Sequence, residues 1–198
     1  MGFKDLKREY IVDCAKKLFL SRSISEITIK DISATSGIGE ATIYRYFQTK
    51  ENLASSVSVS IQKDILKLPH SDFSKSGLGQ IEDFYSLFKK IFEEHRNYYR
   101  FIFEFDTLYL KNIKDTDYSL SLDVFHDLFI KSYQVGLKDG SIKNQKNIDL
   151  FYYSSTHALL ELCKKLASVE SPLKQDQKLS KVAEIDYLIS LFISVLKA

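Results

Sequence analysis

The first part of the chain alternates apolar and polar residues with the period of an α-helix. Apolar side chains recur every three or four residues from Phe3 to Phe19, and charged side chains occupy the opposite face. This spacing predicts an amphipathic helix that ends between Ser21 and Ser25. Its apolar face is the first candidate for the protein core.

Two short helices follow, and each has a recognisable start. Thr28 is a suitable N-cap, because its hydroxyl can accept a hydrogen bond from a free backbone N–H at the start of a helix over about Ile29–Ser36. Gly37 is the expected left-handed residue at the end of that helix. Gly39 is the expected N-cap of a third helix over about Glu40–Phe47. Two short helices joined by such a turn predict a helix-turn-helix.

The rest of the chain also has helical periodicity. A fourth helix is predicted to start at Thr49 and to stop at Pro69, and five more follow at about 78–95, 96–110, 118–139, 147–168 and 179–197. Polar linkers separate these segments, and none is convincing as a β-strand. The sequence therefore predicts an all-α fold of about nine helices. Its domains are a helix-turn-helix domain at 1–48 and, at 49–198, a connector helix with a larger helical domain.

Composition agrees with a helical protein of the cytoplasm. Glycine and proline are scarce, with seven and two residues in 198, which disfavours a β-rich fold. The cysteines Cys14 and Cys163 are far apart, so neither a disulfide scaffold nor a cysteine zinc cluster is expected. No apolar stretch has the length of a membrane span, and the start lacks the apolar core of a secretory signal. We therefore expect a cytoplasmic location and no membrane partner.

The third helix has an unusual polar face. Ile43 and Phe47 are one turn apart and are expected to point inward. That leaves Tyr44, Arg45 and Tyr46 to face outward or sideways. Phenol hydroxyls and a guanidinium donate hydrogen bonds to phosphates and to purine acceptors, so this face suits contact with DNA. The alternative is that the aromatic residues only pack against the protein.

Two lysines near this helix add positive charge. Lys50 is at the start of the fourth helix, where its charge and the free backbone N–H groups can hold one phosphate. Lys30 lies in the first turn of the second helix and can reach the opposite DNA backbone. Residues 1–50 hold nine Lys and Arg against six Asp and Glu, whereas residues 51–198 hold 19 against 20. This mild excess permits a polyanionic partner but does not establish one.

A set of residues between Arg8 and Leu53 occurs together in one known family. Its members are Arg8, Ile11, Ala15, Leu18, Phe19, Thr28, Ile29, Ile32, Ser36, Gly37, Ile38, Thr42, Ile43, Tyr44, Arg45, Tyr46, Phe47, Lys50, Glu51 and Leu53. This set resembles the DNA-binding domain of the TetR family of bacterial transcriptional repressors, and a glycine spacing that begins at Gly136 is similar too. The resemblance implies a homodimer in which helices one to three bind DNA, the fourth connects, and the others bind a ligand and dimerise.

The resemblance also implies which side chains face DNA. The positions are Lys30, Glu40, Ala41, Thr42, Tyr44, Arg45, Tyr46 and Lys50. In this family a serine cap is frequent where Gly39 stands, and glycine or proline is frequent at Ala41. Glycine is usual near Ser23. The first two departures alter the base-facing tip, so no operator sequence can be transferred. Glu40 either accepts from a cytosine amino group or only favours its own helix N-terminus.

The second half of the chain is rich in aromatic residues. For most of them, filling a helical core is a sufficient explanation. The functional alternative is an apolar cavity with a few hydroxyls, which would hold a small hydrophobic or aromatic effector. The candidate lining residues are on the expected inward faces of three helices: Phe88, Phe92, Tyr99, Phe103, Phe129 and Tyr133.

The last two helices have broad apolar faces. Two such helices per subunit can form a four-helix interface about a two-fold axis, and a palindromic DNA site requires a symmetric dimer. The alternative is that these faces form core within one chain. The candidate interface residues are Phe151, Ser155, Leu159, Leu162, Cys163, Ile185, Leu188, Ile189 and Phe192.

No catalytic set is present in the sequence. It has no Gly-rich phosphate loop, no nucleophile elbow and no zinc-protease motif. His126 with Asp123, and His157 with Glu161, place metal-ligand types on one helix face, but no second matching pair exists. We expect no enzyme, cofactor or metal. The predicted function is a ligand-responsive regulator, a repressor released from a palindromic operator by a small hydrophobic effector. The alternatives are a DNA-binding dimer without an effector, or a helical metal-binding or enzymatic protein.

Overall fold

The computed structural model describes residues 3–68, 72–109, 116–168 and 178–198. In these residues it has nine α-helices and one 3₁₀ turn, Ile24–Glu26. The helices are α1 Phe3–Ser21, α2 Ile29–Ser36, α3 Glu40–Phe47, α4 Lys50–Leu66, α5 Gly77–Glu94, α6 Arg96–Leu108, α7 Thr116–Asp139, α8 Ile148–Ser168 and α9 Lys181–Leu196. The predicted all-α class is confirmed, and α2 and α3 have the predicted bounds. The 3₁₀ turn was not predicted, because three residues are too short to show a periodicity.

The chain forms two compact units, of which unit 1 comprises Met1–Ile65 and Arg100–Ser121. Unit 1 therefore extends beyond residue 48 to include α4 up to Ile65 and the second part of α6. Its core is made of apolar side chains from α1 to α4, from the 3₁₀ turn and its flank, and from α6: Ile11, Ala15, Phe19, Ile24, Ile27, Ile32, Ile43, Phe47, Leu53, Val57, Ile61, Phe101 and Phe105.

Unit 2 comprises Leu66–Tyr99 and Leu122–Ala198. Within it α5, α8 and α9 pack against one another. Because all three helices meet, each of them buries one apolar face inside the unit. The core side chains are Ile81, Phe84, Tyr85, Leu87, Ile91, Phe92, Tyr99, Phe129, Tyr133, Tyr152, Leu159, Cys163, Ile185 and Leu196.

The start of α5 lies against the end of α7 without room for side chains. A Cβ at Gly77 would be 2.0 Å from the Gly136 amide nitrogen, and a Cβ at Gly136 would be 2.3 Å from Ile142 Cδ1. The Gly77 amide also donates to Asp139 Oδ2 at 2.7 Å. This carboxylate therefore caps one of the free N–H groups with which every α-helix begins.

The last residues are held by the linker that follows α7. The Lys143 amide donates to the Leu196 carbonyl at 2.9 Å, and the Ala198 amide donates to the Ser141 carbonyl at 3.2 Å. One isolated bridge between Ile142 and Lys197 is the only β-structure of the described residues. None of the described helices combines the length and the apolar character needed to cross a membrane.

Candidate nucleic-acid interface

Helix α2 begins with the capping arrangement that its sequence predicts. Thr28 Oγ1 accepts from the Asp31 amide at 3.2 Å, and the Thr28 amide donates to Asp31 Oδ2 at 2.8 Å. Hydrogen bonds from the Thr28 hydroxyl and amide hold the pKa of Asp31 below its ordinary value. These reciprocal bonds fix the first turn of α2, on which Lys30 is exposed.

The turn between α2 and α3 contains two glycines with different conformations. Gly37 is left-handed, with φ 68° and ψ 11°, and its amide donates to the Ser33 carbonyl at 2.9 Å. Gly39 is the N-cap of α3, with φ −57° and ψ 143° and no side chain to accept a hydrogen bond. Ile38 between them is half-buried. The predicted roles of both glycines as helix caps are confirmed.

Helix α3 has one buried face and one exposed face. Ile43 is fully buried and Phe47 is 3% exposed, with the Arg8 guanidinium carbon 5.1 Å from the centre of the Phe47 ring. On the other side Tyr44 is 48% exposed, and Arg45 is exposed as well. The prediction that Ile43 and Phe47 anchor the helix is therefore confirmed.

The remaining predicted DNA contacts are accessible to different extents. Glu40 and Ala41 are exposed, whereas Thr42, Tyr46 and Lys50 are half-buried. Burial lowers the pKa of Lys50, although nearby acidic side chains act in the opposite direction. Each of these side chains is thus at least partly open to a partner. Their contact with DNA stays a prediction.

The end of α3 has a conformation that the sequence did not indicate. Gln48 has φ 64° and ψ −46°, and it is the one non-glycine residue with positive φ in the described part of the chain. Across it the Thr49 amide donates to the Phe47 carbonyl at 2.7 Å, which closes a γ-turn. This backbone is strained for a residue with a Cβ, and such strain is frequent at functional sites. The γ-turn sets the direction in which the chain leaves α3 for α4.

Helix α4 is held against α1 by polar side chains. Lys16 Nζ lies 2.8 Å from Asp64 Oδ2 and 3.0 Å from Ser60 Oγ, and Arg8 Nη2 donates to Ser56 Oγ at 2.9 Å. The Lys16 side chain is only 17% exposed, so water screens its ion pair less than a surface pair. Sequence periodicity placed Lys16 on the polar face of α1 and did not reveal this contact.

Five of the six predicted effector-binding residues belong to unit 2. Phe103 belongs to unit 1 and is 38% exposed, because Phe101 and Phe105 take the inward positions on that part of α6. Phe103 is therefore removed from the candidate set. The others belong to unit 2 and are buried or half-buried: Phe88, Phe92, Tyr99, Phe129 and Tyr133.

Two of these side chains hold parts of unit 2 together. The Tyr133 hydroxyl accepts from the Gln145 amide at 2.7 Å and donates to Asn144 Oδ1 at 3.0 Å. The Tyr99 hydroxyl donates to the Phe88 carbonyl at 3.1 Å. Burial raises the pKa of Tyr99 well above its ordinary value, so this hydroxyl stays protonated. Both residues thus have structural partners within the protein.

Phe129 lies at the centre of a cluster of rings from α5, α7 and α8, here called the Phe129 cluster. Its ring centroid is 5.4 Å from that of Phe84, 6.0 Å from that of Tyr85 and 5.1 Å from that of Tyr152. Inside the cluster the Tyr85 hydroxyl and Ser155 Oγ share a hydrogen bond of 2.6 Å. Burial raises the pKa of Tyr85, so its hydroxyl remains neutral. The sequence showed Phe84 and Tyr85 only as part of an apolar stripe.

The predicted interface residues divide into two sets. Some are at most 3% exposed and form core within one chain: Ser155, Leu159, Cys163 and Ile185. The others are half-buried: Phe151, Leu162, Leu188, Ile189 and Phe192. These residues lie on the faces of α8 and α9 that are turned inward, because both helices pack against α5. The exposed apolar residues of the same helices are different ones: Leu150, Tyr153, Tyr187, Leu191 and Val195.

The described residues contain no group of three or more His, Cys, Asp or Glu side chains that could hold a metal ion. His126 instead pairs with Asp149, with 3.0 Å between Nε2 and Oδ1, and its ring stacks on that of Tyr153. Burial raises the pKa of the Cys163 thiol to about 12, and a hydrogen bond with Tyr99 acts in the opposite direction. The thiol is therefore protonated at neutral pH.

Comparison with known proteins gives matches that include this interface. Residues 11–57, which contain α2 and α3, match a family described as bacterial regulatory proteins, tetR family. The chain is 24% identical over 149 residues to the HTH-type transcriptional repressor KstR2 of Mycolicibacterium smegmatis, a match that covers 74% of this chain and 72% of KstR2. It is 27% identical over 89 residues to the HTH-type transcriptional regulator AlkX of Mycobacterium tuberculosis, with 45% and 42% covered.

A solved structure has the same fold over nearly the whole chain. It is a transcriptional regulator of the TetR family from Agrobacterium tumefaciens, with a TM-score of 0.67 and 12% sequence identity. The superposition covers 98% of this chain and 100% of that one. At this level of identity the similarity concerns the fold alone.

Proposed function

We propose that this chain represses transcription as a homodimer on a palindromic operator. It belongs to the tetR family of bacterial regulatory proteins and is a DNA-binding transcriptional regulator. A small hydrophobic or aromatic effector favours a dimer geometry in which the two copies of α3, the helices proposed to read the DNA, no longer match the groove spacing. The relative KstR2 is named a repressor and AlkX a regulator, and neither is named as an enzyme. This chain is likewise a regulator and not an enzyme.

The observation that carries the proposal is the exposed face of α3. Tyr44 and Arg45 are exposed there, while the apolar face of the same helix is buried. A helix anchored on one side and lined with donors on the other suits the major groove, where phenol and guanidinium groups meet base edges and phosphates. Lys30 and Lys50 then add phosphate contacts on either side.

The outer faces of α8 and α9 support a homodimer. On α9 the side chains of Tyr187, Leu191 and Val195 follow one another at one-turn intervals and form a single stripe. Tyr187 is 68% exposed, and Leu150 on α8 is 62% exposed. Exposed apolar side chains that repeat along a helix suit contact with a partner, and two copies of the chain can bury them about a two-fold axis.

The Phe129 cluster is our candidate for the effector site. Its rings offer apolar contacts, and the hydrogen-bonded pair of Tyr85 and Ser155 offers one polar point to orient a ligand. An effector that replaces this pair with its own hydrogen bonds gains affinity only if both hydroxyls are satisfied. The lining residues retained from the sequence are Phe88, Phe92, Tyr99, Phe129 and Tyr133.

The experiment starts with selection of a binding duplex from random-sequence DNA by the wild-type protein. Tyr44→Phe combined with Lys50→Gln removes one hydroxyl and one charge from the interface. We expect affinity for the selected duplex to fall about a hundredfold, since a base contact and a phosphate contact are both lost. Fluorescence anisotropy of the labelled duplex at constant salt measures this change. Raising the salt should weaken wild-type binding steeply.

A matched double substitution in unit 2 removes the same chemical groups elsewhere. Ser86→Ala combined with Lys178→Gln takes a hydroxyl and a charge from exposed positions outside the proposed dimer stripe, so DNA affinity should stay within about twofold of wild type. Circular dichroism and sedimentation should show unchanged helicity and assembly for both proteins. Retention of tight binding by the Tyr44→Phe, Lys50→Gln protein would contradict the assignment of α3 as the DNA-reading helix.

A further inference from the structure

Two charged residues of α6 lie outside the proposed DNA and effector contacts. Arg100 and Glu104 are one helical turn apart, and both are half-buried. Both belong to unit 1, together with α1 and the 3₁₀ turn. The helix runs without a break through Arg96–Leu108, although its first residues, up to Tyr99, belong to unit 2.

Arg100 caps the C-terminal end of α1. Its Nη2 donates to the Leu20 carbonyl at 2.7 Å and to the Phe19 carbonyl at 3.1 Å. The last carbonyls of an α-helix have no partner inside the helix and form the negative end of its dipole. A guanidinium matches this end in both charge and hydrogen bonding. It therefore ties α6 to the end of α1.

Glu104 makes the complementary contact one turn further along α6. Its Oε2 accepts from the Ile24 amide at 2.7 Å and from the Ser23 hydroxyl at 3.0 Å. These donors belong to the start of the 3₁₀ turn, where a negative charge is favourable. The connection between α1 and α2 is thus held at two points by opposite charges from one helix.

Aromatic packing supports this pair of charges. The Phe101 ring stacks on the Phe19 ring with centroids 6.1 Å apart, and the Phe101 and Phe105 rings are 5.9 Å apart. All three side chains are fully buried. Because close-packed rings leave little freedom to shift, the charged groups beside them keep their geometry.

The far end of the same segment approaches the start of α4. Burial raises the pKa of Tyr109, and the nearby carboxylates of Glu51 and Glu104 raise it further. Glu51 lies in the first turn of α4, shortly after the γ-turn that ends α3. Residues 100–109 therefore contact the chain before the helix-turn-helix and lie within electrostatic range of Glu51 after it.

We propose that Arg100 and Glu104 are positioning residues for DNA binding, because they hold the 3₁₀ turn and with it the start of α2. Ile24 and the N-cap Thr28 are only a few residues apart, and Ile27 between them is fully buried. The inference rests on the proposed function, since positioning has a measurable effect only if α2 and α3 bind DNA.

The test uses the full-length protein and the duplex selected by the wild type. Arg100→Met and Glu104→Gln should each weaken binding about tenfold, a typical size for coupling between a supporting contact and a binding site. The slope of log affinity against log salt should not change, because no phosphate contact is lost. Arg100→Lys should bind the duplex about threefold more tightly than Arg100→Met, since an ammonium can also donate to the last carbonyls of a helix. Amide exchange at Ile24 should be faster in Glu104→Gln.

Arg96→Met is the matched control. Arg96 lies on the same helix but in unit 2, with its guanidinium carbon 4.4 Å from the centre of the Phe92 ring, so this variant should bind DNA like the wild type. The inference is wrong if Arg100→Met and Glu104→Gln both bind within about twofold of wild type, the scatter expected of a neutral surface change. It is also wrong if the salt slope of Arg100→Met falls by about one, which is the mark of a lost phosphate contact.

The same experiment distinguishes failure of the proposed function from failure of the positioning role. Glu104→Gln keeps the shape of the side chain, so it decides the question alone if Arg100→Met does not fold, as judged by circular dichroism. A wild-type protein that selects no duplex contradicts the proposed function. A wild type that binds tightly, with variants that bind equally tightly, contradicts only the positioning role.

Discussion

Gly37 and Gly39 share one turn but meet different requirements. Gly37 has a left-handed backbone, which residues with a Cβ adopt only at a cost. Gly39 has an ordinary backbone, and no atom lies within 4 Å of the position that its Cβ would take. A serine at Gly39 can therefore accept a hydrogen bond from the free amides at the start of α3, whereas a serine at Gly37 would only be strained.

We expect opposite effects from the same substitution at these two positions. Gly37→Ser should destabilise the protein by about 1–2 kcal/mol, the cost of the left-handed conformation. Gly39→Ser should stabilise it by about 0.5–1 kcal/mol through capping and a less flexible unfolded chain. Denaturant unfolding followed by circular dichroism measures both values. Two changes of the same sign would show that the turn is not built from these two conformations.

Local signals explain why this turn was predictable from the sequence. Thr28 begins α2 through its hydroxyl, and Gly37 ends it because a residue without a Cβ adopts the left-handed conformation easily. Neither effect depends on distant residues. Gln48 carries no comparable signal. Its γ-turn accompanies the packing of α4 on α1, to which contacts between distant residues contribute, such as that of Lys16 with Asp64.

Where α5 and α7 meet, a side chain of one helix caps the end of the other. Asp139, at the end of α7, accepts from the Gly77 amide at the start of α5 and from the Ser141 amide at 2.9 Å. Hydrogen bonds from Ser141 and then from Gly77 lower the pKa of this carboxyl group. The contact exists only because Gly77 and Gly136 let the two backbones approach.

The lowered pKa of Asp139 predicts a pH-dependent contribution to stability. Because the folded state holds this pKa below the unfolded value of about 3.9, the contribution is complete above that value. It is lost as the pH falls through the lower, folded pKa. Asp139→Asn should therefore lower the thermal midpoint at pH 7, and the difference from wild type should shrink on acidification towards about pH 2.

Asp127→Asn is a suitable control, since it neutralises an exposed carboxylate on the same helix. It should leave the thermal midpoint nearly unchanged across the same pH range. A constant difference between Asp139→Asn and wild type from neutral to acidic pH would show that the charge of Asp139 does not cap α5.

Helix existence was predictable from the sequence, but the role of each helix face was not. The apolar stripes of α8 and α9 are wide enough to serve both the core and a partner, and periodicity does not separate the two uses. The structure assigns Leu159 and Ile185 to the core. It leaves Tyr187 and Leu191 at the surface, so the proposed interface moves to the outer side of the same helices.

The division into two units depends on contacts between residues that are distant in sequence. Unit 1 takes its last part from residues 100–121, through contacts such as Arg100 with Leu20 and Glu104 with Ile24. In the sequence these charges look like ordinary polar positions of α6. No local pattern relates them to residues some 80 positions earlier, so this part of unit 1 could not be predicted.

The central claim is that two copies of α3 enter the major groove. Guanine N7 faces this groove, so protection of N7 from methylation on the selected duplex is the most direct test. The wild type should protect two groups of guanines about one helical turn apart. Leu191→Asp, which places a charge in the apolar stripe of α9, should protect neither group at the same concentration. A duplex that binds tightly with no protected guanines, or with a single group, would contradict the pairing of recognition helices.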